Sequence, residues 1–138
     1  MGYADELTFA KRTCEIYFET RGKDICKEYE YTHALGCLLN IISTIRPDND
    51  FIVDISDVIP GKTEAEIKDV LVVIRDGLAH HTSANNFCEI TENQISSIRL
   101  AHHKGHNKTD KMTYENLDQL IQKLHEKIKE ELSRLGKL

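Results

Sequence analysis

Arg75 and His80 stand five positions apart in the hexapeptide Arg75-Asp76-Gly77-Leu78-Ala79-His80, with an acid directly after the arginine. Arginine is permanently cationic and its planar fork matches two phosphate oxygens. Histidine is the side chain that gives or takes a proton near neutral pH. Together they hold the chemistry of phosphoryl transfer. A plainer reading stands beside it, because basic residues are favoured in the last turn of any helix.

Other groups with chemical potential are weaker. His102 and His106 have the i, i+4 spacing with which a helix binds zinc, yet neither cysteine nor acid is placed beside them. With Lys104 and Lys108 among them, they read as a solvated basic patch, and no metal site is expected. Asp48-Asn49-Asp50 lacks the glycine and distal glutamate of a calcium loop. Gly61-Lys62-Thr63 resembles the end of a phosphate loop but lacks the preceding glycine and strand, so it reads as a helix start. His33 reads as a satisfied or exposed helix residue.

These residues need elements to hold them. Leu7, Ala10, Cys14, Tyr17 and Phe18 recur at helical spacing, which predicts a helix over 5–21 ended by Gly22. A second helix is expected over 24–45, with Tyr31, Leu35, Leu38, Leu39, Ile42 and Ile45 inside and Arg46-Pro47 as its stop. The short link across Gly22 makes the two antiparallel. Residues 47–62 read as an irregular connection pinned by Phe51, Ile52, Val53, Ile55 and Ile59. Thr63-Glu64-Ala65-Glu66 matches a capping box and opens a third helix that reaches His80. Phe87–Ile90 and Ile95–Leu100 fit two short strands turning through Glu92-Asn93, with a helix over 92–103 as the alternative. The last helix carries Leu117, Leu120, Ile121, Leu124, Ile128, Leu132 and Leu135 as one stripe, with Gly136 at its end. Neither an internal repeat nor a low-complexity segment interrupts the pattern.

On a helical wheel, Ile67, Val70, Leu71, Val73, Ile74 and Leu78 give the third helix one broad core face. Val72 and Ala79 form a narrow apolar strip opposite, flanked by Lys68 and Arg75 on one side and by Asp69, Asp76 and His80 on the other. Such a strip is self-complementary under a two-fold axis, and a homodimer through Val72 and Ala79 is expected. Arg75 and His80 lie roughly 140° apart on the wheel, so they converge only if the helix unwinds after Gly77 or two protomers share a cleft. Asp76 and His80 share a face at i, i+4, where a hydrogen bond would fix the imidazole tautomer and favour its charged form.

The segment Ile74 to His80 resembles the signature of the HEPN superfamily: an arginine, a polar residue, three to five more residues and a histidine. Two long antiparallel helices before it and a long helix after it are similar to that superfamily as well. The resemblance implies a mainly α, up-and-down bundle of four to five helices, a single domain over 1–138, and a homodimer. It implies a metal-independent endoribonuclease of toxin or defence type, needing no cofactor because the nucleophile, a 2′-hydroxyl, belongs to the RNA. Arg75 would meet the scissile phosphate, His80 would transfer the proton, and Asp76 stands where asparagine is commoner. A non-catalytic helical module that binds a protein or nucleotide partner is the alternative. A toxin would also imply an antitoxin partner.

The whole chain bounds these readings. Its 138 residues suit one domain, and 40% hydrophobic with 30% charged residues fits an ordinary globular protein. A net charge of −5 gives no global attraction to nucleic acid, so RNA must meet a local patch. His81, Arg99, His102, His103, Lys104 and Lys108 are the expected contacts, because Asp110 is the only acid between Arg99 and Lys111. Cys14, Cys26, Cys37 and Cys88 form no C-x-x-C pair and read as reduced thiols. No run is long and apolar enough for a membrane, and the first six residues lack the regions of a signal peptide, so a cytoplasmic location is expected.

Overall fold

The computed structural model describes residues 2–45, 53, 88–99 and 111–138, with the side chains of 88, 89, 98, 99 and 111 excepted. Within these residues the protein is mainly helical, a bundle with a small antiparallel sheet. The first helix, α1, spans Tyr3–Thr20 and buries Leu7, Ala10, Cys14 and Tyr17, the face its spacing predicts. Asp5 and Glu6 sit in its first turn, where carboxylates complement the unpaired N–H groups.

The expected second helix is two helices. Asp24–Glu28 forms the single turn α2, and Glu30–Thr44 forms α3. Between them Tyr29 leaves helical geometry at φ −118° and ψ 44°, closing one helix and opening the other. The break follows from burial. None of the residues of α2 is buried, whereas the apolar stripe of α3 begins at Tyr31 and continues through Ala34, Leu35, Leu38 and Ile41. Nothing in the core therefore holds α2 in line with α3.

The hairpin is present and the alternative helix over 92–103 is not. Strand β1, Cys88–Thr91, pairs antiparallel with β2, Gln94–Arg99. Glu92 and Asn93 both take positive φ, 52° and 65°, the mirror-image turn that matches the twist of a two-residue hairpin. The register slips between Glu89 and Ile90, which bends the ribbon. A third strand, β3 at Lys111–Met112, pairs with Ile98 and Arg99 on the far side of β2. It was not expected, since two residues carry no periodicity.

The last helix, α4, spans Tyr114–Arg134. Thr113 accepts from the Asn116 amide at 3.3 Å while Asn116 Oδ1 accepts from the Thr113 amide at 2.9 Å, a reciprocal cap. At the other end Gly136, at φ 71°, lets Lys137 N–H reach the Leu132 carbonyl and its own N–H reach that of Ser133. Leu117, Leu120, Ile121, Leu124, Ile128 and Leu132 are all buried.

Helix α1 packs against both α3 and α4, which also touch one another, and β2 lies on α3. Contacts from Thr13 to Asn40 and from Thr20 to His33 run α1 antiparallel to α3, and those from Tyr3 to Glu131 and Tyr17 to Asp118 run it antiparallel to α4. Val53 and Met112 join this core. The buried Tyr31 hydroxyl donates to the Met112 carbonyl at 2.6 Å, fastening α3 to β3. The rest of the 47–62 connection and the expected helix over 63–80 lie outside the described residues. No helix among the described residues is long and apolar enough to cross a membrane.

Candidate functional site

Arg75, Asp76, His80 and His81 lie outside the described residues, as do Val72, Ala79, His102, His103, Lys104 and Lys108. Arg99 is placed by its backbone alone, in β2 opposite Lys111. The two cations that bound the basic 99–111 segment are therefore neighbours on adjacent strands. The hairpin and β3 bracket the basic segment at both ends.

The described residues bring together a different polar group, at the C-terminal end of α1. Asp118, in the first turns of α4, accepts from the Tyr17 hydroxyl at 2.5 Å, from Arg21 Nη1 at 2.8 Å and from Gln122 Nε2 at 2.6 Å. The Arg21 guanidinium also lies over the Phe18 ring at 5.2 Å and the Tyr17 ring at 5.9 Å. His33 from α3 stacks on Tyr17 with centroids 5.2 Å apart, and its Nε2 is 3.0 Å from Thr20 Oγ1. One tyrosine thus joins three helices.

The electrostatics give this group a structural task. Burial raises the Asp118 carboxyl, but hydrogen bonds from Tyr17 and Arg21 and the Arg21 charge outweigh it, so the acid stays below its ordinary value. Burial, then the hydrogen bond to Asp118, pushes the Tyr17 phenol well above its ordinary range. Burial alone lowers His33. Near neutral pH, Asp118 is charged and Tyr17 is protonated, so neither is poised to exchange a proton. The arrangement clamps α1 to α4; it is not an acid–base pair.

Sequence reading missed the clamp. Asp118 and Gln122 share a helix face by spacing, but nothing local ties them to Tyr17 and Arg21, about a hundred residues away. Cys14, Cys26 and Cys37 carry free thiols; burial pushes Cys14 up to about 12 and raises Cys37 as well. Both stay protonated and unreactive. Among the described residues no group of three or more His, Cys, Asp or Glu side chains is arranged to hold a metal.

Comparison with known proteins adds no relative: neither a family model, nor a curated protein, nor a solved structure matches the chain.

Proposed function

We propose that this protein is a metal-independent endoribonuclease of HEPN type, of the toxin or defence kind, acting on single-stranded RNA. The observation that carries the reading is the hexapeptide Arg75-Asp76-Gly77-Leu78-Ala79-His80. A mainly helical bundle with antiparallel long helices and a final helix of 21 residues is the kind of frame it calls for.

In this reaction the RNA 2′-oxygen bonds to the adjacent phosphorus and the bond to the 5′-oxygen breaks. The products are a cyclic phosphate and a free 5′-hydroxyl. Arg75 offsets charge on the phosphorane, and His80 moves the proton that leaves one oxygen and reaches the other. Such acid–base help contributes about 10²–10⁴-fold, with further gain from the fixed cation. Asp76 orients His80. His81, Arg99, His102, His103, Lys104 and Lys108 track the RNA backbone, and two protomers meet at Val72 and Ala79. The site of action is the cytoplasm, with an antitoxin as the natural restraint.

A net charge of −5 and Asp76 in place of the commoner asparagine favour a second reading, a non-catalytic helical module for a protein or nucleotide partner. Incubating single-stranded RNA with the protein in a chelator separates the two. Cleavage by the native chain, lost about 10²-fold or more in folded Arg75→Ala and His80→Ala variants, is the expected result. Intact RNA beside a folded native protein makes the module the better account.

A further inference from the structure

Outside the Asp118 clamp, one titratable side chain in the α1–α4 seam has a buried nitrogen that bonds to nothing among the described residues. His125 lies on α4 against α1, its ring in a T-shaped contact with Phe18, centroids 5.2 Å apart and planes at 64°. Its Nε2 is buried and has no hydrogen-bond partner among the described residues. Phe18 is engaged elsewhere too, since the Arg21 guanidinium lies over the same ring.

A neutral imidazole tolerates this position. With its proton on Nδ1, it leaves at Nε2 only a lone pair, the lesser loss for a buried polar atom. An imidazolium carries N–H on both nitrogens, so Nε2 becomes a charged donor facing no acceptor among the described residues. The surroundings do not offset that cost. Burial lowers the affinity of His125 for a proton, and Lys129 on α4 and Lys11 on α1 add to this; Glu15 on α1 and Glu126 on α4 oppose it without prevailing.

We propose that His125 is a pH-sensitive latch on the α1–α4 seam: uncharged, it lets the seam close, and proton uptake at Nε2 opens it. The inference is independent of the nuclease reading. A base whose proton affinity is depressed in the closed form gives stability that is complete above its ordinary value of 6.5 and is lost as pH falls below it. Inside that window the opening equilibrium rises about tenfold per pH unit, until the folded-state value is passed. The seam that loosens holds Phe18, which follows the clamp's Tyr17 on α1 and carries the clamp's Arg21 over its ring.

Amide hydrogen exchange on the full chain, from about pH 7.5 to about pH 5.5 and corrected for intrinsic exchange chemistry, tests the latch. The native protein loses protection in α1 and α4 across this range. His125→Phe, which keeps a ring against Phe18, and His125→Gln, neutral and polar, lose clearly less than the native chain, the remainder belonging to His33, whose proton affinity burial also lowers; His33→Gln retains the loss due to His125. An NMR titration of native His125 with a midpoint below 6.5 completes the expected result. A midpoint at or above that value overturns the proposal even if both variants fail to fold. An equal loss of protection in the native protein and the folded variants overturns it as well.

Discussion

At the residue scale, the clearest chemistry among the described residues is a carboxylate serving three donors. Asp118 is 17% exposed and Arg21 39%, so the ion pair itself is partly screened and contributes modestly. The Tyr17 hydroxyl is different, because its residue is fully buried. Removing the acceptor there takes away the bond to the carboxylate and leaves the Tyr114 hydroxyl as the remaining partner of a desolvated O–H, at a cost toward the lower end of about 1–3 kcal/mol. Asp118→Ala is expected to lower the urea unfolding midpoint accordingly. In a cycle with Tyr17→Phe, the double variant should lose less than the sum of the singles. Strict additivity would mean that the contact does not stabilise the fold. The pH dependence has a definite sign: a depressed carboxylate stabilises above its ordinary value of 3.8, and the contribution is lost as pH falls through the lower folded value.

At the element scale, α4 was legible because every level agrees. Its apolar stripe and its terminal Gly136 specify one helix, and the Thr113 cap, seen only in the fold, fixes its start. Thr113→Ala removes the reciprocal cap and should cost about 0.5–2 kcal/mol in thermal or urea unfolding, without altering the core. The hairpin was legible for a similar reason, since asparagine in the turn tolerates positive φ and β-branched residues flank it. What escaped was non-local. The break at Tyr29 depends on where α3 finds a core to cover, and β3 exists because β2 offers it an edge. The Tyr17–Asp118 contact joins the ends of two helices that no periodicity relates. The capping box at Thr63 and the motif helix it opens belong to residues outside those described, so their expected form stands as a reading of sequence.

For the molecule as a whole, charge and location of the basic groups frame the functional claim. A chain of net charge −5 does not gather RNA by its overall field, and a nuclease built on it must rely on the local cations between Arg99 and Lys111. The backbone of β2 and β3 sets the two ends of that segment side by side. Catalysis, in turn, is proposed to need only what the substrate brings, a 2′-hydroxyl, together with Arg75 and His80. The most direct measurement is therefore product analysis on a single-stranded RNA cleaved in the presence of a chelator, beside the same RNA lacking the 2′-hydroxyl at the cleaved step. The account predicts cyclic phosphate and 5′-hydroxyl ends from the first and no cleavage at that step of the second. Cleavage of both, or 3′-hydroxyl ends that appear only with added metal, would contradict it.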